Sequence, residues 1–251
     1  MTFSLSAGSK AVITLLASLQ INAGFISPVY AHEESEGEKH LQESYRLTKA
    51  GEDEEALVEA DKGLKVDQGP TMLRRKAECL LNLGKANDAL VEAKKAVKLS
   101  PDNADTHMLL ATVYDALKMD GDAANELTIA IAKRPADRGF RLWRAKLYQR
   151  HQEFAKAAED LTVVINNTAI QNRSKPLEQR GTCYLLLKDY QKAIADFTSA
   201  LANSYGRSSL LRQRAEAYEK LGNHVAAKKD IQAAGTMDEA FEPPSTLGVN
   251  K

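Results

Sequence analysis

The chain reads as an all-α solenoid of about six helix–turn–helix repeats, and three observations predict it. An alanine recurs at Ala56, Ala89, Ala123, Ala157, Ala193 and Ala227, in steps of 33, 34, 34, 36 and 34 residues. A second small residue stands twelve positions before each: Ser44, Ala77, Ala111, Ala145, Gly181 and Ala215. Large residues hold the same register, with Tyr114, Tyr148, Tyr184 and Tyr218 nine positions before the alanine and Leu127, Leu161, Phe197 and Ile231 four after. A fixed period of this length marks stacked supersecondary units. The small residues let two antiparallel helices approach closely, and the large ones fill the space beside them. One helix pair cannot bury its apolar face alone, so neighbours must stack into a continuous core.

Composition narrows the function classes. The 251 residues carry 34 Lys and Arg against 34 Asp and Glu, a formal charge of zero, which argues against a nucleic-acid footprint. A hydrophobic fraction of 43% and a charged fraction of 27% suit a folded helical protein. The two cysteines, Cys79 and Cys183, share one register position three repeats apart. That separation is too long for a disulfide, and the expectation is two buried thiols.

In chain order, residues 1–31 hold one charge, Lys10, followed by an apolar run at 11–19 and by Val29, Tyr30 and Ala31. Small residues three and one before a cut are what a signal peptidase accepts, so cleavage is expected between Ala31 and His32. The expected location is extracytoplasmic, periplasmic or secreted. The apolar run is too short and too interrupted for a stable membrane span. Residues 32–36, and the acidic character as far as Lys39, read as a solvated leader. The repeats then fall near 37–69, 70–103, 104–137, 138–171, 174–207 and 208–235. Gly51, Gly84 and Gly222 mark inner turns, and Pro101 and Pro135 close two repeats. The 36-residue step places a longer loop near 170–174. Residues 236–251 form a tail in which Met237 and Phe241 are expected to fold back as a short cap, before Pro243 and Pro244 end any helix.

The offsets of Gly181, Tyr184, Ala193, Phe197 and Ala200 resemble the tetratricopeptide repeat family, and the resemblance covers about residues 37–235. The first copy departs most, with His40 and Glu43 where the family has large apolar residues. The resemblance implies a right-handed superhelical solenoid whose first helices line a concave face. It places Arg74, Glu78, Met108, Thr112, Leu142, Lys146, Gln149, Glu178, Thr182, Arg212 and Glu216 on that face, and the adjoining basic stretch adds Arg150. Members that grip a chaperone's C-terminal carboxylate use an asparagine in the first helix. Glu78, Thr112, Lys146, Thr182 and Glu216 stand at the matching position, so that activity is not implied.

Charges repeat as well. Lys76 and Glu92, Arg144 and Asp160, Arg180 and Asp196, and Arg214 and Asp230 are each sixteen apart, facing each other across a hairpin as expected ion pairs. Residues 133–152 hold seven Lys or Arg and one Asp around Trp143, the only tryptophan. Asn166 and Asn172 open glycosylation sequons, relevant only in a eukaryotic host. No nucleophile elbow, phosphate loop or clustered metal-ligand motif is present. A copper chelate at a mature His32 would need a further fixed ligand. The expected function is therefore non-catalytic, without cofactor or metal. The chain would be a scaffold that holds a partner protein or peptide in its concave groove. The alternative is a subunit that self-associates through the solenoid ends.

Overall fold

The computed structural model describes residues 35–202 and 208–241. The expected signal peptide and cleavage site, most of the leader, and the tail from 242 lie outside the described residues. What is described is all helix, in six antiparallel pairs: α1 (Glu36–Ala50) with α2 (Asp53–Val66), α3 (Pro70–Asn82) with α4 (Ala86–Leu99), α5 (Ala104–Ala116) with α6 (Asp120–Lys133), α7 (Arg138–Arg150) with α8 (Phe154–Asn166), α9 (Ser174–Leu186) with α10 (Tyr190–Ala202), and α11 (Ser208–Lys220) with α12 (His224–Phe241). A single 3-10 turn, Ile170–Asn172, occupies the longer inter-repeat loop.

Local chemistry sets the helix starts. Ser35 and Glu38 close a capping box on α1, which satisfies two otherwise orphaned backbone donors. This corrects the expectation that the leader ran to Lys39, because Glu36 to Lys39 are the first turn of a helix. Pro70 follows Gly69 into α3, and Asn103 and Asp137 accept from the second backbone N–H of α5 and α7. Every inner turn uses one left-handed residue. Gly51, Gly84 and Gly222 take positive φ freely, while Lys118, Gln152 and Lys188 adopt φ of 60–63° at the same place in the other three repeats.

The recurrent alanines are the points of closest helix approach. Ala56, Ala89, Ala123, Ala157 and Ala193 are completely buried. The small residue of the first helix meets the large residue of the second, and their sizes are complementary. In the fifth repeat a Cβ on Gly181 would stand 2.7 Å from the Phe197 ring. Where the first-helix residue is Ala111 or Ala145, its counterpart is Leu127 or Leu161, equally buried. In the first repeat Gly63 makes room for Met72 of the next, whose Cε would lie 2.4 Å from an added Cβ.

Successive first helices touch one another, α1 with α3, α3 with α5 and α9 with α11, whereas no two successive second helices make comparable contact. That asymmetry curves the array with first helices on the inside. At the C-terminal end the described residues show the helix but not the side chain of Phe241, on which the expected cap also rests. α12 simply runs on to Phe241, and Met237 is 38% exposed on its surface. A helix that continues satisfies its backbone more simply than one that breaks to fold back.

Candidate functional site

An acidic residue sits three positions after the marker alanine in all six repeats: Glu59, Glu92, Glu126, Asp160, Asp196 and Asp230. Each is met by a base from the first helix of its own pair. Arg144, Arg180 and Arg214 make two-pronged bonds of 2.7–2.8 Å to Asp160, Asp196 and Asp230. The third arm of each arginine donates to Thr128, Thr162 or Thr198 of the preceding repeat at 2.8–3.0 Å. The result is a polar ladder that runs from one repeat into the next, with Tyr148, Tyr184 and Tyr218 stacked beside the guanidinium groups. Hydrogen bonding to the aspartates raises the pKa of all three arginines, against the opposing effect of burial.

The structure adds two features to the expected ladder. Lys76 pairs with Glu92 at 3.6 Å as expected, but lies closer, at 2.8 Å, to Asp61 of the first repeat, so it bridges repeats as well as closing its own hairpin. In the first and third repeats the base is a histidine, which the sixteen-residue spacing could not find. His40 is 2.7 Å from Glu59, and His107 is 2.6 Å from Glu126 with its other ring nitrogen 2.9 Å from the Pro101 carbonyl. The signal was present as a second spacing of nineteen residues. Cys79 and Cys183 are free and completely buried, and burial raises the pKa of both thiols.

Most of the concave residues are engaged with neighbours. Arg74 pairs with Glu78 at 3.1 Å and reaches the Tyr45 hydroxyl. Met108 packs into the core, and the Thr112 hydroxyl returns to its carbonyl. Gln149 donates to the Cys183 sulfur and the Gln179 carbonyl. Glu178 pairs with Lys175, and Thr182 donates to Gln213. Arg150 is held at 2.5 and 2.7 Å by Asp115 and Asp120 of the third repeat. Burial opposes ionisation of Asp115, but bonds from Arg150 and Trp143 outweigh it and hold the carboxyl below its usual range. Arg212 and Glu216 are exposed on α11.

Within the basic stretch of 133–152, six of the seven cations make an ion pair or hydrogen bond, including Lys133 to Asp102 and Arg134 to Asp105. Lys146 alone has no such partner among the described residues. It is exposed on the wall of a cleft of about 930 Å³ between α7 and α9, with Leu142 and Trp143 one turn away and Lys175 and Gln179 opposite. Thr168 and Asn172 of the longer loop border the cleft. Arg173 donates to the Thr168 carbonyl and pins that loop. No group of three or more His, Cys, Asp or Glu capable of holding a metal occurs among the described residues.

A family model described as tetratricopeptide repeat matches residues 121–168. DnaJ homolog subfamily C member 3 of Homo sapiens is 29% identical over 185 residues, which is 67% of this chain. The chain spans only 37% of that relative's length. Among solved structures, the C-terminal part of a repeat-containing protein from Cytophaga hutchinsonii superposes with a TM-score of 0.69 at 16% identity, covering 80% of each chain. A tetratricopeptide repeat protein from Parabacteroides merdae gives 0.62 at 17% identity, over 80% of this chain and 79% of its own. YrrB, described as having an unusual peptide-binding site, gives 0.63 at 15% identity, over 72% of this chain and 93% of its own. With six copies of one helix pair in a common register, the chain has the all-helical repeat solenoid fold of these structures, and residues 121–168 match the tetratricopeptide repeat model.

Proposed function

We propose that this chain is a non-catalytic extracytoplasmic scaffold that holds a peptide segment of a partner protein between α7 and α9. The observation that carries the reading is Lys146, the one cation of its stretch left without a partner, beside exposed Leu142 in a cleft bordered by the longer loop. A segment offering a carboxylate to Lys146 and an apolar side chain to Leu142 and Trp143 would match that wall. Because the rungs above and below are braced by ion pairs, little conformational freedom would be lost on binding, which favours affinity. The peptide-binding site named for YrrB supports the general mode.

The test is a crosslinking capture with the exported protein, comparing the natural chain with Lys146→Glu. A partner recovered by the first and lost by the folded variant is expected; retention of every partner would contradict the chosen surface. N-terminal sequencing of the exported protein is expected to begin at His32, and a product still starting at Met1 would contradict the localisation.

Self-association has one observation in its favour. Ile231 is 45% exposed at a register position that is fully covered in the five preceding repeats. The remainder of both outer faces opposes it. Lys39 and Arg46 replace the buried Met72 and Cys79 of the next repeat on the outer side of α1, and Lys228 and Gln232 flank Ile231 on α12. Polar outer faces are what a terminal repeat needs to stay solvated. Stacking one end on the other would also set cations against cations, so a monomer is expected in sedimentation.

A further inference from the structure

We propose that Arg138 and Arg141, one turn apart at the start of α7, form a binding site for a phosphate-type dianion. The site adjoins the proposed peptide cleft, which Arg138 also lines, but does not rest on that reading. Arg141 Nε is the single buried side-chain nitrogen or oxygen without a hydrogen-bond partner among the described residues. Its guanidinium makes one long contact, 3.5 Å from Nη1 to Asp160. Asp160 does not need it, because Arg144 already occupies both carboxylate oxygens at 2.7 Å. Arg138 spends one nitrogen on neutral acceptors, the Thr168 hydroxyl at 3.1 Å and the Asn167 carbonyl at 3.4 Å. The two side chains therefore bring two positive charges to one place with donors to spare.

They line a cleft of about 590 Å³ with Pro135, Ala136, Val163 and Asn167. Residues three apart lie on one helix face, so both guanidinium groups address the same space. A buried charged donor left unsatisfied is costly, and its persistence calls for an explanation such as an ion. Arginine's planar fork matches tetrahedral oxyanions in two-pronged fashion, and two of them balance a dianion. The nearby Asp137 does not cancel this charge: its carboxylate caps α7 and lies 3.7 Å from Arg134. A single carboxylate would leave one of the two charges uncompensated, so a phosphate monoester or inorganic phosphate is the better match.

The test is calorimetric titration of the whole chain with inorganic phosphate and, separately, with phosphoserine, at constant ionic strength set by chloride. Saturable binding with Kd on the order of 1 mM or tighter is expected. It should weaken about tenfold or more in Arg141→Gln and in Arg138→Gln. Tighter binding of phosphoserine would assign the dianion to a phosphorylated partner, and tighter binding of phosphate to a free ion; either upholds the site. Thermal unfolding in phosphate-free buffer separates a binding role from a structural one. Arg141→Gln is expected to unfold at or above the temperature of the natural chain and to lose the rise that phosphate gives. Absence of saturation by both ligands up to about 10 mM would overturn the site. So would an Arg141→Gln variant that melts lower without phosphate while binding it as well as before.

Discussion

At the scale of single residues, stability turns on matched volumes and on one backbone angle. The fifth repeat pairs Gly181 with Phe197 where the third and fourth pair alanine with leucine. Gly181→Ala should gain about 1 kcal/mol of helix propensity. It also forces a methyl into a buried aromatic ring, and overpacking of that kind costs about 1–3 kcal/mol. The ring has no room to retreat, so a net loss of about 1 kcal/mol is expected in denaturant unfolding. Adding Phe197→Leu should recover part of the loss, because that restores the pairing the other repeats use. The inner turns supply the second case. Lys188 holds φ of 63° where three repeats have glycine. The left-handed strain of about 1–2 kcal/mol exceeds the entropy cost of glycine, about 0.5–1 kcal/mol, so Lys188→Gly should stabilise by roughly 0.5 kcal/mol. Gly222→Ala should do the reverse, since no atom lies within 4 Å of the added methyl and the angle alone decides.

At the scale of helices, the ladder sets how each repeat is fixed to the next. Arg180 joins Asp196 of its own pair to Thr162 of the preceding one. Removing one partner of a fully buried pair costs about 3–5 kcal/mol. Arg180 keeps 17% exposure, so Asp196→Ala is expected to cost somewhat less, about 2–3 kcal/mol. Thr162→Ala, which loses one neutral bond, should cost about 1 kcal/mol. Asp115 ties the third repeat to the fourth through Trp143 and Arg150. Its carboxyl titrates lower folded than unfolded, so its contribution is present above the ordinary aspartate pKa of about 3.9 and is lost as pH falls through the folded value. Asp115→Asn should flatten the acid limb of the stability–pH curve, and an unchanged limb would place the acid sensitivity elsewhere.

At the scale of the molecule, the repeats were legible because Ala56 to Ala227 and their small partners recur in one register, and such positions tolerate few residue types. The ladder was legible in the repeats where arginine stands sixteen residues before the acid. It was hidden at His40 and His107 because histidine reaches the same carboxylate from one helical turn earlier. The groove was legible as a helix stripe, but not which members of it are engaged. That Arg150 is held by Asp115 and Asp120 while Lys146 is unpartnered depends on how the third repeat stacks on the fourth, and no local pattern encodes that. The longer loop near 170 was legible from the 36-residue step, but not that Thr168 and Asn172 would border a cleft between α7 and α9.

The central claim is that this cleft is where a partner sits. Amide hydrogen exchange on the chain, with and without the partner captured by crosslinking, tests it most directly. Added protection on α7 and α9 that Lys146→Glu abolishes is expected. Protection confined to α1, to α12, or to the outer second helices, with α7 and α9 unchanged, would contradict it.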